Sequence, residues 1–308
     1  MDIQYDVIIV GAGPAGMTAA IYASRSGLKT AMLEKAAPGG KMIKTYEIQN
    51  WPGIKETSGA DLAYQMFEHS THFGAEYLYG DVVEIKTNDG IEIFCADGTV
   101  YQSKAVIVAT GTQERLLNIQ GEKEYTGMGV SYCAVCDGSF FKNKAVAVIG
   151  GGNSALEEAL YLTQFASEVH VVIRRDVFRA EPIIQKQIEE NSKIKIIKKH
   201  IPKEIIGKEG KVCAILLEDV ESKQKQTLSV SAVFPYVGAD PCTEFVQQLK
   251  ICDKHNYIIV NDKMETSVPG IYGIGDVIVK NLRQVVTAAG DGAIAAQQVF
   301  HYIQTKKK

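Results

Sequence analysis

The chain has 308 residues, 33 of them Lys or Arg and 36 Asp or Glu, giving a net charge of −3. That balance excludes the basic stripe of a nucleic-acid-binding surface, and no apolar run approaches the ~18 residues of a membrane-spanning helix. The opening MDIQYDVIIVGAG has no basic leader region and its apolar run is only strand-length, so it reads as the first strand of a cytoplasmic protein rather than a targeting segment. The length predicts about two domains.

Residues 5–10 are a short β-branched run suited to a buried parallel strand. Gly11, Gly13 and Gly16 follow as G-x-G-x-x-G, with Pro14 and Ala15 inside the turn. A helix is predicted over 17–26, with Gly27 as its stop, and a second strand over 28–33 ending at Glu34. Strand, glycine turn, helix, strand and acid together form a dinucleotide-binding unit. The glycines let the backbone approach a pyrophosphate that rests on the helix N-terminus, and the acid accepts from a ribose.

Asp97-Gly98 marks a turn, and residues 105–109 form a strand ending in Thr110-Gly111. The stretch SYCAVCDGSF then places Cys133 and Cys136 two residues apart, with Asp137 directly after. This spacing suits a metal half-site, a structural staple or a working redox pair. The other cysteines, Cys95, Cys213, Cys242 and Cys252, are scattered and read as small buried hydrophobes.

The strand–turn–helix plan then repeats. Residues 145–149 are a strand, Gly150, Gly152 and Ala155 give G-x-G-x-x-A, a helix runs to about 165, and 168–173 is the next strand. Here the acid is replaced by Arg174 and Arg175, with Arg179 one turn on. Guanidinium forks match a 2′-phosphate, so this unit prefers NADP to NAD. A further strand and turn run to Gly238. Near the end, 271–274 is a short strand before Gly275-Asp276, and a helix from about 285 to 302 closes the chain. That last segment has no fingerprint of its own and should complete an earlier domain.

Gly39-Gly40-Lys41-Met42, the Cys133–Asp137 motif, GGGNSALEEA, RRDVFRA and GDV…RQVVTAAGDGAIAA occur in this order along essentially the whole chain. In this the sequence resembles the bacterial low-molecular-weight thioredoxin reductases, class-II pyridine nucleotide-disulfide oxidoreductases. The resemblance implies an α/β fold of two Rossmann-like domains, the NADPH domain inserted into a discontinuous FAD domain. The FAD domain would be 1–115 and 245–308, and the NADPH domain 116–244 with the cysteine pair. It further implies a homodimer and a rotation of the inserted domain between two states.

Residue by residue, the resemblance places Gly11, Gly13, Pro14, Ala15 and Gly16 at the FAD pyrophosphate and Glu34 at its ribose. Gly40, Lys41, Asn50, Val83, Gly111, Gly275, Asp276, Arg283, Gln284 and Val285 complete the FAD site. Gly150, Gly152, Asn153, Ser154 and Ala155 would hold the NADPH pyrophosphate, with Arg174, Arg175 and Arg179 at the 2′-phosphate. Ile173 stands where the family usually has His, Lys41 where Gln is common, and Trp51 where Tyr is common.

Zinc would require about four ligands and the chain offers one pair, so no metal is expected. A permanent staple is disfavoured in a reducing compartment. The redox role remains, with Cys133, Cys136 and Asp137 as the catalytic group. The implied route runs from NADPH to FAD, to the Cys133–Cys136 disulfide, to thioredoxin. Alternatives are a ferredoxin-dependent flavin thioredoxin reductase, which lacks the NADPH motifs present here, and an NADPH-dependent flavoprotein serving another dithiol partner.

Overall fold

In a computed structural model of the chain, residues 3–45, 48–87 and 90–306 are described. The first part of the chain forms β1 (Ile3–Val10), α1 (Pro14–Arg25), β2 (Thr30–Glu34), α2 (Gly59–His72), β3 (Glu76–Tyr79), β4 (Val82–Lys86), β5 (Ile91–Cys95) and β6 (Val100–Val108). The middle contains β7 (Thr112–Glu114), α3 (Ala134–Asp137), β8 (Ala145–Ile149), α4 (Asn153–Leu162), β9 (Glu168–Val172), α5 (Pro182–Glu190) and β10 (Ile194–Ile197). There follow β11 (His200–Lys208), β12 (Lys211–Asp219), β13 (Lys225–Ser229), β14 (Ala232–Pro235), β15 (Ala239–Pro241), β16 (Ile271–Gly273) and α6 (Val285–Lys306).

The chain divides into two compact units: residues 1–113 with 240–308, and residues 114–239 inserted between them. The two connecting segments, β7 and β15, pair with one another.

In the first unit, β3, β2, β1 and β6 pair in parallel, β5 and β4 continue antiparallel, and β16 pairs in parallel with the end of β6. Period-two alternation sorts these strands into two layers. Val7, Ile9, Met32 and Ile107 face one core with α1 and α6, while Ile8, Val10, Leu33 and Val108 face another. Burial on both faces explains why residues 7–10 of β1 and 31–33 of β2 are continuous apolar runs rather than alternating ones. Helix α6 lies close on α1 because residue 292 is Gly: a Cβ there would fall 2.3 Å from the Ala15 carbonyl oxygen. The final segment therefore completes the first unit, as its lack of a fingerprint suggests.

The second unit has a parallel sheet in the order β10-β9-β8-β14 and a three-stranded antiparallel sheet β11-β12-β13. Val146, Val148, Val171 and Phe234 pack beneath α4 and α5. Ala147, Ile149, Val172 and Val233 pack instead with Ile205, Ile215 and Leu217 of the antiparallel strands.

Several boundaries differ from the sequence expectation. Helix α4 ends at Leu162 rather than near 165, since Thr163, Gln164 and Phe165 donate to carbonyls three residues back in a tightened last turn. Strand β6 begins five residues before the expected start because its first half pairs with β5. Of the scattered cysteines only Cys95 is buried, and burial pushes its thiol up to about 11; Cys213 is exposed, and Cys242 and Cys252 are half-buried.

Candidate active site

The first glycine turn is built by close backbone approach. Gly11 has φ of 109°, and a Cβ on it would meet the Ala109 carbonyl oxygen at 2.5 Å; one on Gly16 would lie 1.9 Å from the Gly11 oxygen. Only residues without a Cβ allow this packing. Gly13, by contrast, has nothing within 4 Å of where its Cβ would lie. It precedes α1, whose N-terminus carries no side-chain cap. Uncapped N–H groups beside an open cradle fit a pyrophosphate.

Glu34 sits at the end of β2, as expected, but its carboxylate already has work in the fold. Oε2 accepts from Ala12 N–H at 2.9 Å and Oε1 from Ala36 N–H at 2.9 Å. A carboxylate has about four acceptor sites, so bracing the turn leaves capacity for a ribose. Gly39 N–H donates to Ala12 carbonyl at 2.8 Å, and a Cβ on Gly40 would lie 3.3 Å from Gly13 Cα, bringing that loop onto the same turn.

Further first-unit residues converge. Asn50 Nδ2 donates to Gln284 Oε1 at 3.1 Å, and Lys41 Nζ to Thr112 Oγ1 at 2.7 Å. Arg283 donates to the carbonyls of Asp276, Ile278 and Lys280 at 3.1–3.2 Å, and its guanidinium lies over the Tyr257 ring at 4.4 Å. Burial raises the Asp276 carboxyl, while Lys41, Arg283 and Lys280 pull it down. Gly275 N–H donates to Asp291 Oδ2 at 3.0 Å, and the same oxygen takes Lys280 Nζ at 2.5 Å. Gly111 accepts from Cys242 N–H at 3.1 Å, and Val285 begins α6. Val83 is half-exposed on β4 and makes no contact that marks it.

In the second unit the turn is repeated with different braces. Gly150 has φ of 148°, and a Cβ on it would meet the Tyr236 carbonyl oxygen at 2.3 Å. Gly152 opens onto free space and precedes α4, which again lacks a side-chain cap. Asn153 and Glu181 exchange two hydrogen bonds, at 2.8 and 2.9 Å, and Arg179 N–H donates to Gly151 carbonyl at 2.7 Å. Ala155 is buried and Ser154 exposed. Arg174, Arg175 and Arg179 are exposed, and among the described residues none is in a salt bridge within 4.0 Å. Ile173 is buried beneath Gly151, so it belongs to the core and offers no phosphate contact.

Cys133 is disulfide-bonded, and Cys95, Cys213, Cys242 and Cys252 are in no disulfide. The Cys136 side chain lies outside the described residues, although its backbone is part of α3. Val130 bridges Val233 in parallel, and Ser131 N–H donates to Val233 carbonyl at 3.1 Å. Cys133 therefore emerges past the carboxyl end of β14, the edge where β8 opens into the Gly150 turn. Ser131 Oγ accepts from Cys133 N–H at 3.1 Å, and Asp137 N–H donates to Cys133 carbonyl at 3.2 Å.

Sequence reasoning missed two supports of this turn and one buried acid of the same unit. Tyr236 hydroxyl accepts from Ala134 N–H at 3.2 Å. Glu122, almost fully buried, takes Tyr132 O–H at 2.7 Å and the Leu117 and Asn118 N–H groups at 2.8 and 2.6 Å. Glu158 lies at the inner spacing of α4 with one oxygen sealed from solvent. Only Glu158 had a usable signal: it follows Ala155 by three residues and precedes Leu162 by four, both core positions.

The pyridine nucleotide-disulphide oxidoreductase family matches residues 5–292. The chain belongs to that family. It is 47% identical over 300 residues to a thioredoxin reductase of Bacillus subtilis, covering 97% of this chain and 95% of the relative. It superimposes on the crystal structure of Lactococcus lactis thioredoxin reductase with a TM-score of 0.96 at 45% identity, covering 98% and 99% of the two chains. For the T. acidophilum thioredoxin reductase the TM-score is 0.93 at 35% identity, with 97% and 99% covered. Among the described residues no helix is long and apolar enough to cross a membrane, and no group of three or more His, Cys, Asp or Glu could hold a metal ion.

Proposed function

We propose that this chain is an NADPH-dependent thioredoxin-disulfide reductase carrying FAD in its first unit. The observation that carries the reading is the second unit's carboxyl edge. One parallel sheet presents there both a glycine turn suited to a dinucleotide and a turn holding a disulfide-bonded cysteine. A redox dithiol beside one coenzyme cradle, in a chain with a second cradle, suits a relay more than a binding module.

Bound FAD supplies the two-electron chemistry between NADPH and a disulfide. The protein's part is binding and orientation. Gly11, Gly13 and Gly16 receive one pyrophosphate, with Glu34 at the ribose; Asn50, Lys41, Asp276, Arg283 and Gln284 line the remainder. Gly150, Gly152 and Asn153 receive the coenzyme, and the exposed arginines face its 2′-phosphate. Cys133 and Cys136 form the exchanging pair. The Cys133 thiolate attacks a thioredoxin sulfur and forms a mixed disulfide. Cys136 then displaces the thioredoxin thiolate, leaving oxidised enzyme and a thioredoxin dithiol. Asp137, next to the pair, carries the proton that each departing thiolate needs.

The finer assignments belong to the same proposal: FAD on the unit of residues 1–113 and 240–308 and NADPH on 114–239, where the sequence expectation drew the bounds at 115/116 and 244/245, with a homodimer, a cytoplasmic setting, and rotation of the inserted unit during turnover. The test is anaerobic stopped-flow at the flavin absorbance with NADPH, NADH and reduced ferredoxin in turn, then oxidised thioredoxin. NADPH should bleach the flavin, and thioredoxin should restore it. Bleaching by ferredoxin alone, or no recovery with thioredoxin, would overturn the reading. Sedimentation at twice the chain mass tests the dimer.

A further inference from the structure

The second unit holds a buried carboxyl that neither the coenzyme turn nor the disulfide accounts for. Glu158 Oε2 is closed off from solvent and has no hydrogen-bond partner. An ionised carboxylate there is heavily penalised. Burial, with the adjacent Glu157, pushes Glu158 up to about 8.

Its charge reaches Tyr236, which has two attachments. Its N–H donates to Ile149 carbonyl at 2.7 Å, at the end of β8 where the glycine turn begins. Its hydroxyl accepts from Ala134 N–H, the first amide after Cys133. Burial raises the Tyr236 hydroxyl, and Glu158 is the strongest charge acting on it, ahead of Glu114 and Asp137. Tyr236 thus joins the coenzyme turn, the redox turn and the field of one buried acid.

We propose that Glu158 and Tyr236 are positioning residues for the redox turn, and that together they govern how readily the Cys133 sulfur reacts. The inference rests on the reading of Cys133 as the exchanging thiol. The Tyr236 hydroxyl fixes the direction of the Ala134 N–H and keeps its own hydrogen to donate. With Glu158 neutral, the charge it would add behind that hydroxyl is absent. With Glu158 ionised, a buried negative charge within reach of the turn raises the cost of forming one. The acids facing Tyr236 are Glu158 from α4, Glu114 from the connecting segment and Asp137 from α3. Glu157 acts on Glu158; its carboxyl is also raised, by burial and Glu181, although much of the residue is exposed.

The experiment uses reduced, FAD-loaded enzyme. Iodoacetamide alkylation of the Cys133 peptide is followed by mass spectrometry from pH 6 to 9.5, because exposed Cys213 would confuse a bulk thiol assay. Wild type should show its thiolate reactivity held back as Glu158 ionises. Glu158→Gln should remove that inflection and alkylate roughly threefold faster near pH 8, an apparent thiol shift of about half a unit. Tyr236→Phe, added to each, should erase the difference between wild type and Glu158→Gln. Thermal melting and flavin content identify a misfolded variant; if Glu158→Gln is one, Tyr236→Phe must still flatten the wild-type inflection. Superimposable curves for wild type and Glu158→Gln, or a Glu158 effect that survives Tyr236→Phe, would overturn the proposal. Loss of thioredoxin turnover with the alkylation shift intact would instead count against the function assigned to the pair.

Discussion

Asp291 offers a sharp test of how the first unit holds the loop proposed to face its cofactor. Its Oδ2 accepts from Gly275 N–H at 3.0 Å and from Lys280 Nζ at 2.5 Å, and the two charged side chains are only 12% and 13% exposed. Breaking a buried pair from one side strands the other charge, at about 3–5 kcal/mol. Because a little solvent reaches the pair, about 3 kcal/mol is expected for Asp291→Ala. In a unit of this size that lowers Tm by roughly 10 °C. The released Gly275 amide also loosens Asp276 and the Arg283 anchor, so flavin affinity should fall in parallel. Asp291→Asn keeps an acceptor for Gly275 but loses the charge, and should fall between. The assay is differential scanning calorimetry with flavin content by absorbance, extended to Lys280→Met in a double-mutant cycle. If Asp291→Ala melts within about 1 °C of wild type, or if the two substitutions add independently, the pair is not what fixes Gly275.

The three exposed arginines should give NADPH at least about a tenfold preference over NADH in kcat/KM, since charge-assisted bonds to phosphate are roughly twice as strong as neutral ones; equal rates would refute this, and the missing contact at buried Ile173 sets its upper limit. Cys136→Ser should retain FAD and still be bleached by NADPH while thioredoxin turnover disappears, and near wild-type turnover would remove the pair from the relay. Glu158 is raised from an ordinary 4.5 to about 8, so the folded chain keeps a proton that the unfolded chain releases between those values. That stability is fully present below about pH 4.5 and is lost as pH rises through about 8. Denaturant midpoints should therefore show wild type losing about 2–4 kcal/mol relative to Glu158→Gln between pH 4.5 and 9, and a pH-independent difference would refute the buried placement.

The glycine turns were legible because their constraints are local. The spacing of Gly11, Gly13 and Gly16 encodes a backbone approach that admits no Cβ, and the following helix and acid complete a unit about 25 residues long. The same locality is the ground for proposing Arg174 and Arg175 as phosphate partners, and the structure leaves both exposed. Supports across the sequence were not legible. Tyr236 meets Ala134 across 102 positions, and Asp291, although it stands inside the RQVVTAAGDGAIAA motif, meets Gly275 across 16 in a way that the motif does not reveal. Nothing in the spacing of either pair distinguishes it from any other Tyr or Asp. Glu34 shows a subtler limit. Its position fits a ribose acceptor, yet its two oxygens take backbone N–H groups that hold the glycine turn in shape. A motif residue can therefore be essential to the fold before any ligand arrives. For that reason Glu34→Gln, which keeps one good acceptor, separates the roles better than Glu34→Ala, which removes the brace and the proposed ribose partner together.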